Sequence, residues 1–203
     1  MSKLILNSTQ KTFMRTGGIW GIYDGFTAAF LTLFALLLGA SNVQIGILAA
    51  IPYIATILAE IPGAKLVEYF TRKSICIATV STRAFWIPLL LAPLMPSAYS
   101  IIFILALTFL IKFFDLLSDP AWVSWIADTV PAKIRGAYFG KRMFIIGIFA
   151  SASTLLGGFF LNLFPKDSTL GFSIMFFAGT IFGLVNLFLL KQAEEPDYID
   201  HQH

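Results

Sequence analysis

Six long apolar stretches, separated by short breaks that each carry a turn residue or a charge, occupy most of this chain. An α-helix crosses the ~30 Å hydrocarbon core of a bilayer in ~20 residues. On that scale the runs read as spans over residues 18–38, 45–66, 74–94, 100–121, 143–164 and 171–190, with an amino-terminal arm over 1–17 and an acidic tail over 191–203. The expected fold class is therefore all-α integral membrane, embedded in a lipid bilayer, and six crossings return both termini to one side. Composition agrees: mean hydropathy is +0.83, and charged residues make up 12% of the chain, about half the share in a soluble domain. The first run is longer than the core of about 7–15 residues of a secretion signal, contains Asp24, and leads directly into five further spans. It is read as a retained span, despite Gly39 and Ala40 resembling a cleavage site after Leu38.

The breaks assign a direction. Lys3, Lys11 and Arg15 lie in the arm, Lys65, Arg72 and Lys73 around the second break, Lys133, Arg135, Lys141 and Arg142 around the fourth, and Lys191 opens the tail. The breaks around 41–44 and 96–99 hold no Lys or Arg, and that around 165–169 holds only Lys166. Eleven of the fourteen basic residues thus fall on one side, which the positive-inside rule makes cytoplasmic, so both termini are expected in the cytoplasm. The net charge of +3 reflects topology and gives no reason to expect a nucleic-acid partner. Cys76 is the only cysteine, which excludes an intrachain disulfide and a cysteine-cluster metal site. His201 and His203 have no neighbours to complete a coordination shell. Neither a metal nor a bound cofactor is expected, and no motif stands where an intramembrane enzyme would carry its active site.

Two breaks carry a family pattern. Residues 64–74 read AKLVEYFTRKS, which resembles the signature loop of the major facilitator superfamily, Gly-x-Leu-Ala-Asp-Arg-x-Gly-Arg-Arg/Lys. Leu66, Glu68, Arg72 and Lys73 take matching positions, Glu replacing Asp. Ala64 stands where the pattern has Gly, Tyr69 replaces the first Arg, and Thr71 the second Gly. The break from Asp119 to Arg142 resembles the connection between helices four and five of the same superfamily, with Asp128, Pro131, Arg135, Gly136 and Gly140 in the required order. The resemblance implies an amino-terminal six-helix half, built of two inverted three-helix repeats, of a transporter that usually has twelve helices. IGILAA from Ile45 and IGIFAS from Ile146 echo one another in spans two and five, as two such repeats would allow.

Ionisable groups near a bilayer centre cost at least ~2.5–3.5 kcal/mol each and normally face a bundle interior or a wet cavity. Asp24, Glu60, Arg83, Lys112 and Asp115 sit within or near the hydrocarbon, with Asp119 closer to an edge. Lys112, Asp115 and Asp119 share one helix face, so a local ion pair with a spare carboxylate is expected. Asp24, in IWGIYDGF, is either a protonatable group that couples transport to H+ or Na+, or an ion-pair partner of Arg83 or Lys112. Gly17, Gly21 and Gly25 recur every four residues, a smooth strip for close helix packing. Span five has Gly147, Gly157 and Gly158 but lacks the Gly-Pro pair that marks drug/proton antiporters. Trp20, Trp122 and Trp125 read as interfacial anchors. Trp86, beside Arg83, reads as a lipid-facing or packing residue, with stacking on a substrate ring as the alternative.

The resemblance implies secondary transport of a small solute by alternating access in a bacterial-type cytoplasmic membrane. Asp24, Arg83, Lys112 and Asp115 would face the cavity. Glu68, Arg72, Lys73 and Arg135 would serve a latch on the cytoplasmic side, with Asp119 or Asp128 accepting from Arg72. A second six-helix half, from a separate chain or a second copy, would complete the unit, or the chain is a truncated fragment. The rival expectation is a non-transporting six-span subunit or sensor on the same bundle.

Overall fold

The computed structural model of the protein describes residues 6–196, and every regular element among them is helical. Span one consists of α1 (Ser8–Phe26) and α2 (Ala28–Leu37), and span two of α3 (Asn42–Tyr69). Span three holds α4 (Arg72–Ser81) and α5 (Trp86–Leu89) with 3₁₀ turns at Thr82–Phe85 and Ala92–Leu94; span four holds α6 (Ser97–Leu117) and α7 (Asp119–Thr129). Spans five and six are α8 (Ala132–Leu161) and α9 (Leu170–Gln192). All six spans are long and apolar enough to cross a membrane. The ends near Asn7, Phe70–Thr71, Val130–Pro131 and 193–196 share what we term the amino-terminal face.

The helices outrun the apolar runs, because hydropathy registers only the membrane core. The chain from Ser8 to Gly17, expected as an arm, is helix: the Asn7 side chain accepts from the Gln10 backbone N–H (2.8 Å) and the Gln10 side chain accepts from that of Asn7 (3.1 Å). That reciprocal cap satisfies two otherwise orphaned donors. The second break shrinks to Phe70 and Thr71, whose hydroxyl caps α4 by accepting from Ser74 N–H (3.2 Å). The fourth shrinks to Val130 and Pro131, since residues 119–129 form α7.

Three spans are interrupted, each for a local reason. Pro120 removes an N–H and crowds the carbonyl four residues back, so α6 stops and α7 begins around Ser118. Pro88 and Pro93 do the same in span three, which continues as short 3₁₀ and α pieces. Span one breaks at buried Thr27, whose hydroxyl donates to the Tyr23 carbonyl (2.7 Å) in competition with the helix ladder.

Packing follows a repeat. α1 lies against α8 and α9, α3 against α6 and α7, and α4 against α9 and α7. If spans one to three correspond to four to six, the pair one–five is the counterpart of four–two. A Cβ on Gly21 would fall 2.6 Å from the Ile146 carbonyl and one on Gly25 2.6 Å from that of Ala150, so α1 and α8 pack in close contact. Gly63 lets α3 approach the Leu117 carbonyl in the matching pair. Span lengths echo too: 30, 28 and 23 residues, then 31, 30 and 23. Spans two and five are the least covered, with 22% and 17% of their membrane-crossing stretch buried against 33–44% in the others. Their outer faces show Tyr53, Ile57, Ile61, Phe144, Leu155 and Phe159.

Candidate functional site

All six spans contribute to a cavity of about 470 Å³, mostly apolar in its lining but carrying Arg83, Lys112, Asp115, Asp119 and Arg142. Arg83 anchors it from the 3₁₀ turn that precedes Pro88, where the tighter winding breaks the α-helical register of span three. Its Nε donates to Asp115 Oδ1 of α6 (3.3 Å), its guanidinium lies 4.8 Å from the centre of the Tyr23 ring, and, with the Asn186 amide assigned the orientation that satisfies both its groups, Nη1 donates to the amide oxygen (3.1 Å). The Asn186 amide nitrogen in turn donates to the Thr16 carbonyl (3.2 Å). Tyr23 is itself fixed, since its hydroxyl accepts from Trp86 Nε1 (2.8 Å). Trp86 is therefore a buried packing residue that orients the ring beneath Arg83.

The ion pair expected within α6 does not form. Asp115 pairs across the bundle with Arg83, whose position is fixed by Tyr23 and Asn186, and Lys112 makes no salt bridge among the described residues. Lys112 lines the cavity with Asp115, and Asp119 stands exposed at its rim. On span five, Arg142 stacks on Trp122 at 5.0 Å and its Nε donates to the Phe13 carbonyl (3.4 Å). Trp20 and Trp122 line the cavity and Trp125 is fully buried against Phe13, so these rings serve the interior instead of acting as interfacial anchors.

Asp24 lies one turn beyond Trp20 on α1, half-buried and in no ion pair among the described residues. Asp24, expected to face the cavity, is not among the residues that line it. Neither ion pair expected of it, with Arg83 or with Lys112, forms.

A second cluster closes the amino-terminal face. Arg72, only 2% exposed, pairs with Asp128 of α7 and with Glu195 (3.0 Å), and also donates to Ser124 Oγ (3.3 Å) and the Pro196 carbonyl (3.0 Å). The Glu195 carboxylate accepts from the backbone N–H groups of Arg72 (2.9 Å) and Lys73 (3.0 Å), satisfying the first turn of α4 where the helix dipole favours an anion. Lys73 Nζ donates to the carbonyls of Lys191 (2.8 Å) and Ala193 (2.7 Å). Trp125 Nε1 donates to the Glu194 carbonyl (3.2 Å). Residues 193–196, expected as part of a solvated tail, are thus docked, because they supply acceptors to buried donors. His201 and His203 lie outside the described residues.

Glu68, expected in the latch, is exposed and pairs with nothing among the described residues; Glu195 holds the place instead. Asp119 likewise does not reach Arg72. Arg135 donates to the carbonyls of Ala127 (2.6 Å) and Val130 (3.4 Å), capping α7. Pro131 precedes α8 as its cap residue, Gly136 and Gly140 face open space, Ala64 is exposed, and Leu66 packs on the Phe13–Trp125 cluster. A Cβ on Gly17 would stand 3.3 Å from the Arg142 side chain.

The Major Facilitator Superfamily model matches residues 16–201, nearly the whole length of the bundle. The chain belongs to that superfamily. None of the curated proteins or solved structures compared with it matches. A major facilitator chain is a membrane transporter of small solutes, and this one has a cavity with charged groups lined by all six of its spans. Glu195 escaped the sequence reading because its partners are more than a hundred residues away; the only available signal was an acidic cluster directly after a span, which reads equally well as solvent-exposed.

Proposed function

We propose that the protein works by secondary active transport, with the solute held in the cavity around Arg83, Lys112 and Asp115 and released by alternating access. The observation that carries this reading is the cavity itself: Lys112 lines it beside the Arg83–Asp115 pair, in no ion pair of its own among the described residues. A carboxylate that takes up a cation or proton changes its pull on the neighbouring ammonium, and with it the solute's affinity. In this scheme Asp24 binds the coupling H+ or Na+ and Lys112 transmits the change to the solute.

The clamp around Arg72 joins spans three, four and six within one bundle, so the bundle rocks as a body. Its motion requires a second six-helix unit, in the same polypeptide or another. The side of span two supports this: Glu60 is exposed about two and a half turns from the end of α3, beside the row Pro52 and Thr56 that enters the cavity. A carboxylate in such a place needs a wet or protein-covered surface, since contact with lipid tails is costly. The amino-terminal face is cytoplasmic in this reading, in a bacterial-type inner membrane, supported by the basic residues that ring it.

Reconstitution into proteoliposomes with imposed proton or sodium gradients tests the proposal. Gradient-driven movement of a small solute, abolished in Lys112→Gln, is the expected result. A preparation that moves no solute under either gradient while binding another protein stably would support the subunit or sensor reading instead. Reporter fusions at Lys166 and at the carboxyl terminus should report opposite sides of the membrane.

A further inference from the structure

A groove of about 410 Å³ runs along the outside of span one and is separate from the cavity around Arg83, with no lining residue in common. Ile19 and Ile22 of α1, Ile145 and Phe149 of α8, and Leu189 of α9 line it, and Arg15 is the one charged residue that does so. At about 100° per residue, Ile19 and Ile22 lie on the far side of α1 from Trp20 and Asp24. The groove therefore faces the bilayer while the same helix shows its other side to the cavity. Gly18 opens the space: a Cβ there would stand 3.3 Å from the Phe149 ring.

Basic charge collects at one end. Lys11 precedes Arg15 by one helical turn on α1, and Lys141 precedes Ile145 by one turn on α8. The two helices run in register, Gly17 opposite Arg142 and Gly21 opposite Ile146, which brings Arg15 and Lys141 to one level, with Lys11 about one turn nearer the amino-terminal face. All three are exposed, and none forms a salt bridge among the described residues. The groove has the volume of a single small ligand, far from the ~800 Å² per partner that a protein interface of standard size needs. It thus presents an apolar channel along the membrane normal, with a cationic lip at headgroup depth.

We propose that this groove binds one acyl chain of an anionic phospholipid, whose headgroup phosphate is held by Arg15, Lys11 and Lys141. The chain supplies apolar contact, and the three cations supply selection against zwitterionic lipids, since basic residues near a membrane surface attract anionic headgroups. This site is independent of the transported solute.

The test uses the full chain purified in detergent, with lipids retained counted by native mass spectrometry and stability followed by thermal unfolding. Dioleoyl phosphatidylglycerol should be retained as one copy and raise the unfolding temperature. Dioleoyl phosphatidylcholine, with the same chains, and inorganic phosphate, with the same charge chemistry, should do neither. Replacing Lys11, Arg15 and Lys141 together by Gln should weaken phosphatidylglycerol binding on the order of a hundredfold, about fivefold per charge. Lys166→Gln, on the opposite face, should leave it unchanged. Should the triple variant fail to fold, Arg15→Gln against Arg15→Lys decides, with loss in the first and retention in the second expected. Equal retention of the two lipids, equal effects of phosphate and phosphatidylglycerol, equal binding by Arg15→Gln and Arg15→Lys, or occupation of the groove by a second copy in a lipid-independent dimer would each overturn the proposal.

Discussion

Arg72 and Arg83 sit on the same span, about three turns apart, and both are buried, yet their surroundings differ in kind. Arg72 has two carboxylates, a hydroxyl and a carbonyl around its guanidinium, supplied by α7 and residues 193–196. Arg83 has one carboxylate at 3.3 Å, a neutral amide and an aromatic face, and it opens onto the cavity. A saturated arginine is part of the frame. One held by a single anion and two softer partners has a site where an incoming group can compete, and water in the cavity limits what is lost when it does.

The largest effect should come from the first of these. Arg72→Gln leaves Asp128 and Glu195 facing each other without their shared cation, and breaking a buried pair costs about 3–5 kcal/mol. The loss should appear as a lower yield of detergent-stable protein, before any transport measurement. Arg83→Gln should cost less, about 1.5–3 kcal/mol for a hydrogen bond to a charged group, with folded protein still recovered and solute binding abolished. If Arg83→Gln destabilised the fold as much as Arg72→Gln while the surviving protein bound solute normally, the contrast between frame and site would collapse. Next is Asp24→Asn. Since Asp24 pairs with no cation among the described residues, the folded yield should be unchanged, whereas accumulation driven by a proton or sodium gradient is lost and solute exchange without a gradient persists. The smallest effect belongs to Glu68→Gln, within about 0.5 kcal/mol of the parent in thermal unfolding, because its side chain is exposed and unpaired among the described residues.

The six spans were legible because each must be apolar over a membrane's thickness, and two breaks carried enough of a known pattern to identify the superfamily. Helix ends were less so: capping by Asn7 and Thr71 carries α1 and α4 past the hydrophobic boundary. Pairing was the least legible. In lipid the outside of a bundle is as apolar as its inside, so the pattern along α6 or α9 does not reveal which face is buried, and the bond from Arg83 to Asp115 depends on that. Spacing alone favoured Lys112 as the partner of Asp115. The helical turn that carries Arg83, displaced by Pro88, decided otherwise.

The interrupted spans have a directional consequence. Span one is cut into pieces of 19 and 10 residues, span four into pieces of 21 and 11, so each repeat bends at about two thirds of its first helix. The two helices run in opposite directions across the membrane, and so Thr27 and Ser118 sit at opposite depths. In the alternating-access mechanism proposed above, such a joint, present once upright and once upside down, would serve two doors. Stiffening either joint should bias the protein toward opening on one side only, and the same change at its counterpart should bias it toward the other.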